Sequence, residues 1–425
     1  MLKTIADLSP HLVTFVLTLR LSLSRPQLRH VTRVADALIT TEGSKTLSAL
    51  YRHIVDDPCP KAAADTFREA PWQADDLRIP LRQFLVQQAF DMAQTEEAPR
   101  RVFLSLDDSL TQKDKGSQRL QMVDWFFDHA HSWPNHAIYT KANVYVLLRL
   151  SVGSASFTID MAPYLRDSTV RRLNKAREKG QRLTFRTKIE IAREMLAAVA
   201  PFMPDGYQVY LLTDSWYAAA SLLKWCRARD WHVICRLKAN RLLNKVQVRD
   251  HNQRLKHRRY TRVRVTAADQ KQPRIYLVRS LTGKLSSLSG EVRVYISKRH
   301  NKDTRPRYYV STDPSLSAQV ALNMFHHRWS CEVANWYLKE RLGWADCRLW
   351  KVESSEKFLG VLWLALAFLE FLQVTQYATR TVADVIRIHR QQHAERLLKQ
   401  ACQMVLQTRD LSEVQARFTF APAPT

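Results

Sequence analysis

The chain reads as an α/β protein: a mixed sheet with helices on its faces and helical segments at both ends. Three observations predict this. Strand-like apolar runs stand at 101–107, 143–150 and 155–161, the last two joined by a short Ser/Gly turn. Helical and strand patterns then alternate through TKIEIAREMLAAVA, YQVYLLTD, WYAAASLLKWCRARD and WHVICRL. Helical patterns return at 317–342 and 356–414. Three consecutive strands followed by alternating helix and strand form a mixed sheet, and catalytic groups collect at the ends of its central strands.

The first 100 residues read as short helices. Ser44 with Leu47, Leu50, Tyr51 and Ile54 looks like a capped amphipathic start. This region holds 12 basic and 12 acidic side chains, a net charge of zero. Arg25, Arg29 and Arg33 recur at i, i+4 and i+8, which gives either a local DNA-reading face or an ordinary exposed one.

Residues 236–310 differ sharply, with 21 basic against 4 acidic side chains. Arg262-Val263-Arg264-Val265 and Val292-Arg293-Val294-Tyr295 alternate as strands with one basic face, which suits a phosphate backbone. The apolar run at 358–369 stops at Glu370; twelve residues fall short of the roughly 20 a bilayer needs, so it reads as core.

Composition bounds the function. The chain has 425 residues, 46% of them hydrophobic, which supplies a sizeable core and excludes disorder throughout. Only 9 glycines exclude a collagen-like chain. A net charge of +25 points to a polyanion, nucleic acid first. The six cysteines form no CxxC pair, so a zinc knuckle is not expected. The first residues lack a signal-peptide pattern, and a cytoplasmic protein with reduced thiols is expected.

Two apolar strands end in an acid, at Leu106-Asp107 and Thr213-Asp214. A carboxylate at the tip of a rigid strand facing a cleft suits Mg²⁺, which takes hard oxygen ligands. Each Asp could equally open a turn; the pair on one sheet favours function. Asp107 and Asp108 are adjacent and point to opposite faces, so only one enters the cleft readily. Asp107 is favoured, with Asp108 the alternative. A third acid, Glu332, lies in MFHHRWSCEVANWYLKERLGW. On one continuous helix, Phe325, Arg328, Glu332, Trp336 and Lys339 would share an arc of about 80°. An exposed i,i+4 ion pair would account for Arg328 and Glu332 but not for the aromatic neighbours.

Phe325-x2-Arg328-x3-Glu332-x6-Lys339 resembles the Y-(2)-R-(3)-E-(6)-K signature of the insertion-sequence-four group of DDE transposases from bacterial insertion sequences. Asp107, followed by Lys115-Gly116, looks like the first acid of that family's triad, and Asp214 in LLTDSWY like the second. The resemblance covers roughly residues 100–345.

It implies an RNase H-like core interrupted by a β-rich insertion. The corresponding divisions are a helical N-terminal DNA-binding region at 1–100, core at 101–237, insertion at 238–316, catalytic helix at 317–345 and a helical C-terminal region at 346–425. It also implies two Mg²⁺ ions, for which Mn²⁺ can substitute, held by Asp107, Asp214 and Glu332. Phe325, Arg328, Trp336, Lys339 and Lys115 would contact double-stranded DNA. The enzyme would cut transposon ends and join the 3′-hydroxyl to target DNA, as a homodimer in the synaptic complex, on the bacterial nucleoid.

Two departures stand out. Phe325 replaces the family's Tyr and lacks its hydroxyl. The Trp on which several relatives stack a flipped base has no counterpart between Trp231 and Trp329, leaving Tyr308 or Tyr309 as substitutes. Two other readings fit the same residues: a transposase-derived DNA-binding protein that no longer cleaves, and an RNase H-fold nuclease that never joins strands.

Overall fold

Capping residues start the first helices. In this computed structural model, which describes residues 7–54, 60–97, 99–114, 116–117, 119–128, 131–133, 135–266, 272–286, 288–300 and 302–418, Ser9 caps α1 (Pro10–Thr18) with Pro at its start. Ser24 and Gln27 form a reciprocal capping box on α2 (Arg25–Thr40). α3 (Leu47–Arg52) is capped by Thr46, not by Ser44 as expected, because the Thr46 hydroxyl accepts from Ala49 N at 3.2 Å. α4 (Pro60–Arg68) and α5 (Asp75–Gln94) complete the helical start.

The strands follow as β1 (Arg101–Gln112), β2 (Asp124–Phe127), β3 (Tyr139–Val152) and β4 (Ala155–Tyr164), then β5 (Gln208–Thr213) and β6 (His232–Leu237). Helices α6 (Asp167–Asn174), α7 (Lys188–Val199) and α8 (Ala220–Arg227) lie between β4 and β6. The basic segment carries β7 (Leu242–Leu243), β8 (Val246–Gln247), α9 (Val248–Arg254), β9 (Thr261–Val265), β10 (Arg274–Gly283), β11 (Val292–Lys298) and β12 (Arg307–Ser311). Helices α10 (Ala318–His326), α11 (Trp329–Trp336), α12 (Val352–Thr375), α13 (Val382–Thr408) and α14 (Leu411–Arg417) end the chain.

One sheet runs β2-β3-β1-β5-β6-β12-β11-β10-β9, with β4 also on β3. β1 pairs antiparallel with β3 and parallel with β5, and β6 is parallel to β5. This is the expected mixed-sheet α/β class with helical ends. The basic strands continue the central sheet: β12 pairs antiparallel with β6, placing Val310 opposite Cys235. The edge strand β9 is covered by α10, whose Gln319 Oε1 accepts from Arg264 N at 2.9 Å, which blunts an edge that would otherwise pair with another strand.

The core sits under β3 and β4. Val361 to Leu369 of α12 are fully buried, and each such large side chain contributes roughly 1.5–3 kcal/mol. Phe15 of α1 packs against Phe368 at 5.6 Å, so the N-terminal helices share this core. Trp363 donates from Nε1 to Thr158 O at 2.7 Å. Glu370 ends the apolar run as a buried partner of Arg149, and also accepts from Thr158 N at 2.7 Å. The helix extends well past the twelve-residue apolar run at both ends. By length and composition α12 could cross a membrane, but most of its apolar stretch is buried inside the protein.

Candidate active site

Strand register decides where the acids meet. The last parallel pair of β1 and β5 is Leu106 beside Thr213. One residue further on each strand stand Asp107 and Asp214. β5 stops there, whereas β1 continues against β3, pairing Asp107 with Leu147 and reaching Gln112 beside Ala142. The strand therefore does not end on Asp107, as the apolar pattern suggested. Its pairing with the long β3 carries it on, and Asp107 lies where β1 loses its neighbour on the other side.

Alternation then separates Asp107 from Asp108. Asp107 Oδ2 accepts from Arg328 Nη1 at 2.7 Å. Asp108 Oδ1 accepts from Tyr217 Oη at 3.0 Å, and its other oxygen pairs with Lys188. Asp214 folds back on its own turn, accepting from Trp216 N at 2.8 Å. Burial pushes the Asp107 carboxyl up to about 7; Arg328 opposes that rise, while Asp108 and Asp214 reinforce it. Asp107 thus feels the charge of both other acids. Burial, reinforced by Asp108, also pushes the Tyr217 hydroxyl well up, so it stays a donor.

The segment carrying Glu332 is not the single helix expected over 317–342. α10 ends at His326, and the next turns close by short-range bonds, from Arg328 N to Phe325 O and from Cys331 N to Arg328 O. Such tightening changes the angle per residue, so a wheel drawn at 100° does not hold across it. The His327 ring lies flat on Phe103 at 4.3 Å, on the strand that carries Asp107. The Cys331 thiol donates to Ser105 O at 3.3 Å. Both contacts fix α11 over β1.

The result still brings Phe325, Arg328 and Glu332 together. Arg328 also bonds Glu332, so one guanidinium joins two of the three acids. Phe325 packs edge-on against Tyr309 at 5.0 Å. A cavity of about 250 Å³ is lined by Arg236, Arg274, Arg307 and Arg328 together with Tyr309, Phe325 and Glu332. Arg236, Arg274 and Arg307 are not singled out by any motif in the sequence. Their only signal was the charge of their segment.

Lys339 lies in a widened helical turn, Tyr337–Arg341, where Leu342 N bonds Tyr337 O. Burial lowers its ammonium from the ordinary lysine value, against the pull of Glu340, Asp107 and Asp128. Trp336 points elsewhere, exposed and packed on Tyr337 and under Arg341. Lys115 lies outside the described residues. Lys188 and Tyr217, the partners of Asp108, were not foreseen. Tyr217 lies three residues after Asp214 and was open to notice.

The donors suit a hard divalent cation, since Asp107, Asp108, Asp214 and Glu332 offer only carboxylate oxygens. A carboxyl that burial pushes up to about 7, with neighbouring acids adding to the rise, is one that a cation would stabilise as its anion. Among the described residues, however, no three His, Cys, Asp or Glu side chains stand gathered as a metal-holding group. The Arg328 guanidinium bonds both Asp107 and Glu332, supplying positive charge in the place a cation would need.

No curated protein matches the chain. The family model described as DDE superfamily endonuclease matches residues 19–283, more than half of the chain. That span includes Asp107 and Asp214 and ends before Glu332. With two acids side by side in a mixed, RNase H-like sheet and an arginine-lined cavity beside the third, the chain belongs to the DDE superfamily endonuclease family.

Proposed function

We propose that the chain is a DNA transposase of the insertion-sequence-four type. It binds the inverted repeats at the ends of its element, cleaves there, and joins the 3′-hydroxyl to target DNA. What carries this reading is the register that sets Asp107 beside Asp214, with Arg328 linking Asp107 to Glu332.

Asp107, Asp214 and Glu332 would hold divalent ions, Mg²⁺ or Mn²⁺. When bound, such ions activate the attacking oxygen and neutralise charge on the scissile phosphate. Arg328 turns from the carboxylates to the DNA phosphate, where its fork suits two oxygens. Arg236, Arg274 and Arg307 hold the flanking backbone, and Lys339 adds a point charge. Phe325 and Tyr309 wall the cavity with apolar surface. Water attacks the phosphate at the element's end and leaves a 3′-hydroxyl, which attacks target DNA; no covalent protein–DNA bond is needed. Exposed Arg25 and Arg29 on α2 serve end recognition, and two copies hold the two ends.

The test is a strand-transfer assay with pre-cut element ends, target plasmid and Mg²⁺. Joined product supports the proposal. Nicking alone would make the chain a nuclease, and binding without reaction a DNA-binding protein.

A further inference from the structure

The hairpin of β2 and β3 carries a feature that the cleavage site does not use. Trp125 pairs with Lys141 and Phe127 with Tyr139 across the strands. Directly opposed residues share a face, so all four lie on one side. That side is exposed: Trp125 by 43%, Phe127 by 36% and Tyr139 by 58%. Phe127 meets Tyr139 edge-on at 5.7 Å, and Lys141 Nζ lies 5.7 Å from the Trp125 ring centre. The opposite side turns inward, with Phe126 against Tyr164 at 6.1 Å. Near the turn, Trp133 is 61% exposed and stacks on His136 at 4.4 Å.

The turn end of this hairpin is tied to the strand that carries Asp107. Asp128 is buried and accepts from Gln112 Nε2 at 3.1 Å, on the strand that carries Asp107. Its charge also acts on Lys339, as does that of Asp107. On β3, six to eight residues separate Leu147, the partner of Asp107, from Lys141 and Tyr139, a rise of roughly 20–27 Å. That is the scale of a few nucleotides.

We propose that this aromatic face binds unpaired bases of single-stranded or opened DNA next to the cleavage site. The proposal rests on the DNA-cleaving function above and adds a second contact to it. Paired bases hide their faces in the stack, so exposed rings gain little from intact duplex. Unpaired bases offer a π-face to each ring, whatever their sequence. Cations beside the rings favour a polyanion over an apolar protein surface. Lys141 stands over Trp125, and Arg166 Nη1 donates to Trp125 O at 2.8 Å.

The experiment titrates full-length protein, without divalent metal, against a labelled oligo-dT and a duplex of equal length. For the W125A/Y139A double variant, oligo-dT affinity is expected to fall about tenfold or more, with duplex affinity and melting temperature nearly unchanged. The W125F/Y139F variant, which keeps the aromatic planes, should retain most of the oligo-dT affinity. Unchanged oligo-dT binding by W125A/Y139A would overturn the proposal. So would an equal loss on duplex and oligo-dT, or a phenylalanine variant as weak as the alanine one. A change confined to oligomeric state would make the face a subunit contact and overturn it too. Because the readout needs no cleavage, its failure is separate from any failure of the transposase reading.

Discussion

Arg328 Nη1 lies 2.7 Å from Asp107 Oδ2, and the same guanidinium also bonds Glu332. Without this charge two acids would face each other across the site, with Asp214 adding to the repulsion on Asp107. The arginine thus satisfies the site in this conformation, and a cation would compete for the same oxygens.

A first prediction follows from that competition. Mn²⁺ or Mg²⁺ at millimolar concentration should raise the melting temperature of the wild-type protein, because a ligand of the native state stabilises it. The increase should shrink or vanish in Asp107→Asn. In Arg328→Ala the metal-free protein should melt lower, since the buried carboxylate loses its partner, at a cost of about 1–3 kcal/mol. The rise on adding metal should then be larger than in wild type. Scanning fluorimetry with and without a chelator checks all three.

Salt should govern DNA affinity. If the basic strands and the arginine-lined cavity hold DNA phosphates as proposed, the logarithm of the binding constant should fall steeply with the logarithm of salt concentration. Replacing Arg236, Arg274 and Arg307 together by Ala should lower the slope by roughly two to three. Binding that stays flat from low to physiological salt would remove the argument from charge.

Lys45 gives a pH dependence away from the acids. Its ammonium is buried against Leu38 O and Arg341 O, at the end of the segment that carries Glu332. Burial pushes its pKa down to about 7, with Arg390 adding to the effect. The unfolded chain keeps this proton to near 10.5, so between pH 7 and 10.5 it binds more protons than the folded one, and stability rises with pH there. Below 7 both states are protonated and the full cost of the buried charge remains. Urea unfolding at pH 7 and 9.5 should show this gain in wild type and a flatter profile in Lys45→Met.

Gly343 packs on the same lysine. Its φ is +72°, and an added Cβ would meet Lys45 Cβ at 2.6 Å. Gly343→Ala should therefore destabilise by about 2 kcal/mol or more, from backbone strain plus the clash. A substitution that leaves the melting temperature unchanged would mean that this turn is not as tightly held as its contacts indicate.

Sequence patterns revealed the sheet because strands buried on both faces leave long apolar runs, as in β3 and β5. They also singled out Asp107 and Asp214 as candidates, because each follows such a run. They could not reveal that β1 goes on past Asp107, since Asp108, Ser109 and Thr111 are polar and only the partner β3 keeps them extended. They could not reveal the break before Trp329 either. It is fixed by tertiary contacts of His327 and Cys331 with β1, which leave no periodic trace. The basic strands could be read as strands, but their joining to β6 depends on long-range register. Likewise Thr46 and Ser44 are both competent caps by residue type, and the helix starts from Thr46.

The most direct test of the account is cleavage of element-end DNA by Asp107→Asn, Asp214→Asn and Glu332→Gln, each measured beside its binding to the same DNA. Three variants that bind like wild type and leave the DNA uncut, with rates down by at least about a thousandfold, are the predicted result. A single variant among them that binds and cuts at the wild-type rate would contradict the claim that these acids form one catalytic centre.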